Sequence, residues 1–313
     1  MHLKINFVIL VLISSLLSAC SSNIVSPIDS AQELYIQDLS SCDKRAKSAL
    51  DINPQLPLII LVHGYNSPIG AFNKLSEALT LQGQQPVCFN YNDRNSLIET
   101  ARTLNRSIRD VSKHLHTPQI TLIGHSQGGL ISRKASTLAL NENISINLVT
   151  VSAPLAGIKS AKNCGNPLLR IASLGIHDLI CWAISGDKWF EITDASDFIQ
   201  QPGKLDNAIK SYLLIATDER NSCRVVDVNN QCIEDDFVFS LNEQALPRIH
   251  NGLVVTRVKL KAGHVEIVGN ENTVPYKLIR ALQDNGIINS PGKAELQHFQ
   301  QPLEEKYNLA KAN

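Results

Sequence analysis

Ser126 stands at the centre of Gly124-His125-Ser126-Gln127-Gly128, directly after the apolar run Ile120-Thr121-Leu122-Ile123. No other feature constrains the chain as much. A short buried strand that passes at once into a helix bends so tightly that only glycine fits two residues before and two after the serine. Gly129 extends the turn, and Leu130-Ile131-Ser132-Arg133-Lys134-Ala135 continues with helical character. The pentapeptide alone is a common Gly/Ser turn. Its setting between strand and helix is what leaves the Ser126 hydroxyl standing above a sheet.

The surrounding chain alternates strand-like and helix-like runs. Apolar stretches at 57–62, 86–91, 120–123, 146–151, 212–216 and 253–260 read as strands. Stretches at 71–81, 95–116, 128–140 and 275–284 read as helices. This rhythm predicts an α/β domain over 51–290, with a mostly parallel central sheet flanked by helices. The rhythm is lost over about 157–192, where Leu168, Leu169, Ile171, Leu174, Trp182, Trp189 and Phe190 gather. That stretch reads as an apolar helical insertion, either a lid over the Ser126 face or an ordinary subdomain on the sheet edge. Residues 291–313 form a polar C-terminal tail.

The chain has 29 basic and 29 acidic residues and no basic stripe, arginine-rich run or aromatic RNA-binding motif, so nucleic acid is not an expected partner. Oligomeric state is left open. At the N-terminus, His2 and Lys4 precede an apolar stretch over 5–17 that is too short for a membrane span and reads as an export signal. It ends in Leu17-Ser18-Ala19-Cys20, which resembles the lipobox of bacterial lipoproteins. The resemblance implies a signal peptide over 1–19, a lipidated Cys20, and a tether and leader over 20–50. It also implies a membrane anchor and, with no Asp after the cysteine, the outer membrane on its periplasmic or surface face.

Seven cysteines are an odd number for an exported chain, and setting Cys20 aside leaves six. An oxidising compartment permits three disulfides. Local pairing favours Cys164–Cys181 and Cys223–Cys232, which leaves Cys42–Cys88. No C-x-x-C is present and nothing resembles a zinc or haem site, so no metal is expected.

A serine hydroxyl is a weak nucleophile until a base takes its proton and a carboxylate orients that base. With an elbow of this type the chain order is serine, acid, histidine. The downstream histidines are His177, His250 and His264. His264 follows the late strand-like run, where such a base belongs. His177 lies in the insertion and His250 precedes the strand. For the acid, Asp218, Asp235 and Asp236 are all candidates. Negative charge on a tetrahedral intermediate needs two backbone N–H donors, and Gln127, next after the serine, supplies one.

Three segments carry a family resemblance: Leu61-Val62-His63-Gly64-Tyr65, Leu122-Ile123-Gly124-His125-Ser126-Gln127-Gly128-Gly129, and Val149-Thr150-Val151-Ser152-Ala153-Pro154-Leu155-Ala156-Gly157. His264-Val265-Glu266-Ile267-Val268-Gly269-Asn270 adds a fourth. With these the chain resembles the α/β-hydrolase superfamily, and within it the bacterial triacylglycerol lipase and PGAP1-like esterase group. Leu155 replaces the group's usual His. The resemblance makes Tyr65, which follows His-Gly, the second oxyanion donor. It favours Asp235 as the acid, because Asp235-Asp236-Phe237-Val238-Phe239 is similar to the group's Asp-x-x-Val-Pro, with Phe239 where Pro is usual. His63 reads as a loop histidine bonding the backbone.

The resemblance therefore implies a carboxylic ester hydrolase working through Ser126, His264 and Asp235 on a lipid or acyl ester, without cofactor or metal. The apolar insertion then reads as a lid or acyl-chain wall. The same residues would serve a thioesterase, a deacylase or a lipid acyltransferase. A surface-anchored binding protein that kept the fold without the chemistry is the contrasting expectation.

Overall fold

The computed structural model describes residues 32–42, 49–65, 72–159, 186–188, 190–229, 231–246, 253–270 and 273–289. The chain divides into two units, 1–31 and 32–313, and every described residue belongs to the second. The expected signal peptide, Cys20, most of the insertion, Cys164–Cys181, His177, His250 and the polar tail lie outside the described residues.

The described chain runs β1 (Gln32–Tyr35), β2 (Leu39–Ser40), β3 (Ala49–Ile52), β4 (Leu58–Val62), α1 (Asn73–Leu81), β5 (Gln85–Phe89), α2 (Leu97–Ser112), β6 (Gln119–His125), α3 (Gln127–Ala135) and β7 (Ser145–Val151). It continues with α4 (Asp197–Gln200), β8 (Ile209–Asp218), β9 (Cys223–Val226), β10 (Cys232–Asp235), β11 (Val255–Lys261) and α5 (Tyr276–Asp284). Seven strands form one sheet in the order β11-β8-β7-β6-β4-β5-β2. All neighbours are parallel except β2, which runs antiparallel to β5. This is the expected parallel architecture with one short antiparallel edge.

The period-two alternation of strand side chains divides the core into two layers. Leu58, Ile60 and Val62 of β4 join Leu122, Leu148 and Leu214 on one face, with α2 and α3 above them. Ile59 and Leu61 join Ile123, Val149, Val151, Leu213 and Ile215 on the other, under α1 and α5. Burial on both faces explains why β4 is apolar without a break. Truncating one of these residues, such as Ile60 to Ala, should cost about 2–5 kcal/mol. Helix α2 shows how local sequence fixes an element. The Ser96 hydroxyl caps its N-terminus by accepting from the Glu99 N–H, and Leu97, Ala101, Leu104, Ile108 and Val111 lay one apolar stripe on the sheet.

Two of the expected disulfides are present. Cys42–Cys88 ties the chain after β2 to β5, and Cys223–Cys232 closes the β9–β10 hairpin. Where the strand–helix rhythm breaks, Ile158 bridges Thr193 and its N–H donates to the Ile192 carbonyl. Ile158 and Thr193 thus lie side by side.

Parallel pairing aligns the strand ends. Val62 pairs Gly124, His125 pairs Val151, and Lys261 pairs Asp218. The loops after β4, β6, β8 and β11 therefore open at the same edge of the sheet, where ligands of parallel α/β sheets bind.

Candidate active site

Ser126 follows β6 immediately and caps α3, with φ 55° and ψ −126°. A non-glycine residue at positive φ is strained by about 1–3 kcal/mol and persists only where neighbours hold it. The Ser126 N–H donates to the Val151 carbonyl (2.9 Å), and its own carbonyl accepts from Gly129 (3.0 Å). Close approach makes both flanking glycines obligatory. A Cβ on Gly128 would run into the Val62 and His63 carbonyls, and one on Gly124 into the Gly128 carbonyl. The loop after β4 comes just as near, since a Cβ on Gly64 would lie 2.9 Å from the Ser126 Cβ and 3.3 Å from its Oγ. Tyr65 and Gln127 thus flank the serine, Gln127 as the first residue of α3. The first N–H groups of a helix have no intrahelical acceptor and carry the positive end of its dipole.

His264 lies three residues beyond β11 and is buried. The residue beside the serine holds it in place. The His125 Nε2–H donates to the His264 carbonyl (2.9 Å), and the two rings sit 4.7 Å apart. Burial, then the neighbouring His264, pushes the His125 imidazole well below its usual value, so His125 acts as a neutral strut. Phe239 packs edge-on against the His264 ring at 5.1 Å.

The carboxylate on the His264 ring is Glu219. Its Oε1 accepts from the His264 Nδ1–H at 2.8 Å. Glu219 follows β8 directly, is 1% exposed, and has both oxygens satisfied. Oε1 also accepts from Thr217 Oγ1 (2.9 Å) and Gln244 Nε2 (3.4 Å); Oε2 accepts from the N–H groups of Val238 (2.7 Å) and Phe239 (2.8 Å). A buried carboxylate needs such partners, because an unpaired one would be far too costly. Donation from Nδ1 fixes the tautomer and leaves Nε2 free to accept a proton.

The expectation that Asp235 holds this place is corrected by the geometry. Asp235 ends β10 on an exposed hairpin, paired with Cys223 in register. The other two candidates are also elsewhere. Asp218 takes a bidentate contact from Arg220 (2.7 and 2.6 Å), which holds its carboxyl far below the usual carboxylate range. Asp236 is 1% exposed, yet it grips the histidine loop by its backbone. Its carboxylate accepts from the N–H groups of Val265 and Glu266 at 3.0 Å, and its carbonyl accepts from the His264 N–H at 2.9 Å. Arg224 supplies the counter-charge at 3.1 Å. Gly263 must be glycine here, since a Cβ would collide with the Asp236 carboxylate.

Sequence reasoning favoured Asp235, kept Asp218, the neighbour of Glu219, as an alternative, and did not reach Glu219. The available signal was the pairing of a strand end with a carboxylate, which Asp218 and Glu219 satisfy equally. His63 behaves as expected, with its Nδ1–H donating to the Gly64 carbonyl (2.8 Å) and its ring stacked on Tyr91 at 4.3 Å. Among the described residues, no group of three or more His, Cys, Asp or Glu side chains could hold a metal ion.

The family model for palmitoyl protein thioesterase matches residues 58–220, just over half of the chain, from β4 through Glu219. No curated protein sequence matches the chain. Among solved structures, the mature form of the Bacillus licheniformis lipase BlEst2 is 15% identical and superposes with a TM-score of 0.50 over 74% of this chain and 92% of the lipase. A phosphonate-inhibited esterase B from Lactobacillus rhamnosis is 14% identical, over 88% of this chain and 91% of its own, with a TM-score of 0.46. The superposition on the lipase agrees with a mostly parallel sheet flanked by helices. The chain has the α/β-hydrolase fold and belongs to the palmitoyl protein thioesterase family.

Proposed function

We propose that this protein is a serine hydrolase that cleaves acyl esters or thioesters through an acyl-enzyme, with Ser126 as nucleophile, His264 as base and Glu219 as the orienting acid. The observation that carries the reading is the buried His264–Glu219 hydrogen bond, set on a loop pinned to the neighbour of Ser126. Ser126 Oγ attacks the acyl carbonyl while His264 Nε2 takes its proton. The backbone N–H groups of Tyr65 and Gln127 bind the oxyanion. His264 returns the proton to the departing oxygen or sulfur, and water then releases the acid by the same route. Glu219 orients the ring and stabilises the imidazolium. It replaces the aspartate expected from the sequence, a substitution this chemistry accepts.

Membership in a thioesterase family favours a long-chain acyl thioester as substrate. The test is hydrolysis of palmitoyl-CoA beside p-nitrophenyl butyrate and palmitate, by a form beginning at Ser21 and by Ser126→Ala. Removing a nucleophile of this kind costs up to about a million-fold in kcat. Loss of turnover in Ser126→Ala, with fluorophosphonate labelling only in the wild type, would support the reading. A folded wild type that is inert and unlabelled would leave a binding protein as the better account. Export with lipidation at Cys20 belongs to the same proposal, and the two disulfides support an oxidising compartment. Cys20→Ser should move the protein from the membrane to the soluble fraction.

A further inference from the structure

Lys188 is 2% exposed, which is unusual for a lysine, and lies where the insertion rejoins the domain. Its ammonium donates to the Asp93 carbonyl and, at 2.5 Å, to Gln127 Oε1. It also sits 3.8 Å from the centre of the Tyr65 ring. Gln127 Nε2 donates to the same Asp93 carbonyl at 3.1 Å. One cation from the insertion therefore touches the side chains of both residues whose backbone N–H groups form the proposed oxyanion hole. Those residues come from separate elements, the loop after β4 and the start of α3. The neighbouring Glu191 fixes the segment from the other side. Its carboxylate accepts from the Ser96 hydroxyl (2.7 Å) and the Leu97 N–H (2.5 Å) at the start of α2.

We propose that Lys188 is a positioning residue for the oxyanion hole: its ammonium ties Tyr65 to Gln127 and keeps a positive charge beside their backbone donors. This rests on the serine-hydrolase reading above. A merely structural peg at this place needs no charge, and burying an ammonium is costly. The charge becomes useful when negative charge develops nearby, because a cation in a water-poor site stabilises the transition state more than the ground state. The effect therefore belongs in kcat rather than KM.

Charged and titratable groups face Lys188 from each neighbouring element. Asp93 supports its positive charge, and Arg94 opposes it. His63 lies on the same side, and its imidazole is pushed down chiefly by burial and partly by Lys188. Tyr91, buried beneath, is pushed far up and stays neutral. Burial outweighs Asp93, and the Lys188 ammonium is brought down to about 8. Below that pH the cation is present; above it the cation is lost.

The test is the pH profile of kcat and KM from pH 6.5 to 10 for wild type, Lys188→Met and Lys188→Arg. Each protein's fold is checked by circular dichroism, and Ser126 by fluorophosphonate labelling. Lys188→Met should lower kcat at pH 7 by about 10- to 100-fold, below the loss of a whole oxyanion donor, and change KM by less than about threefold. The wild-type fall in kcat above about pH 8 should vanish in this variant. Lys188→Arg, which stays charged, should keep part of the activity and lose the alkaline fall. Gln127→Ala, which keeps the backbone donor and deletes the Lys188 acceptor, should cost no further kcat once Lys188 is Met.

A folded Lys188→Met with wild-type kcat and an unchanged alkaline limb overturns the proposal, as does a change confined to KM. If the Met variant fails to fold, the Arg variant decides, and an unchanged alkaline limb there overturns it. A wild type that turns over no substrate and takes no label removes the hydrolase reading, and this proposal falls with it. An active, labelled wild type with indifferent Lys188 variants removes this proposal alone.

Discussion

Two polar clusters lie about Ser126, one centred on a buried carboxylate against His264 and one on a buried ammonium against Gln127. On the histidine side, Glu219 and Asp236 are buried carboxylates that between them hold the ring and the backbone of the His264 loop. On the other side, the Lys188 ammonium lies against Gln127 and Tyr65, the proposed oxyanion donors. Attack by a serine moves positive charge onto the imidazole and negative charge onto the carbonyl oxygen. A carboxylate on the His264 ring and an ammonium against Gln127 suit that separation before the reaction begins. The two clusters differ in construction as well. The anionic one is held by hydrogen bonds within a short stretch after β8 and the loop after β11. The cationic one is assembled from four distant parts of the chain: 63–65, 90–97, 127 and 186–191.

The largest effect that would break this comparison is at Glu219. Glu219→Ala should lower kcat by about ten-thousand-fold while fluorophosphonate labelling slows, because the imidazole loses its orienting partner. An activity near wild type would mean that another carboxylate serves. Asp236→Ala should act first on stability, by about 3 kcal/mol, because the Val265 and Glu266 N–H groups and the Arg224 guanidinium lose their acceptor. Urea unfolding measures the loss. A stable Asp236→Ala with unaltered kcat would show that the two carboxylates do not share a task.

Opening Cys223–Cys232, by Cys→Ser at both positions, should cost at most about 3 kcal/mol for so short a loop. The drop in kcat should track the drop in melting temperature, since the hairpin joins Glu219 to Asp236. Acidification should have a smaller, graded effect. Burial holds the His125 and His63 imidazoles below their usual 6.5, so the native state binds fewer protons than the unfolded chain. Stability is then full above about pH 6.5 and falls as the pH drops, by at most about 1.4 kcal/mol per unit for each group. Melting temperatures from pH 8 to 5 check this, and His63→Gln should flatten part of the slope. Asp235→Asn should change neither kcat nor stability measurably, and a large loss there would restore the aspartate reading.

The sheet and the elbow were legible because both follow from short-range rules. Strands buried on two faces read as unbroken apolar runs, and β4 is such a run. The glycines around Ser126 report a steric need that any sequence making this turn must meet. The disulfide across β9 and β10 was legible from nearness alone. Glu219 was not, because Asp218 and Glu219 both follow the strand. Only the pairing of β8 with β11 decides which side chain turns in and which meets Arg220. Lys188 was hidden for a related reason. It lies where strand–helix periodicity fails, and its partners are 61 and 95 residues away. Long-range polar contacts leave no local pattern.

The bridge between Ile158 and Thr193 bears on how such a chain diversifies. Segments whose flanking residues lie side by side can be lengthened, shortened or exchanged at little cost in loop closure. The sequence between them can therefore vary in length while the loops around Ser126 stay put. The constraint lies just before Thr193, where Lys188 and Glu191 are bonded into the domain. Lineages that change the segment should keep those two positions, or lose the Lys188 ammonium from beside Gln127.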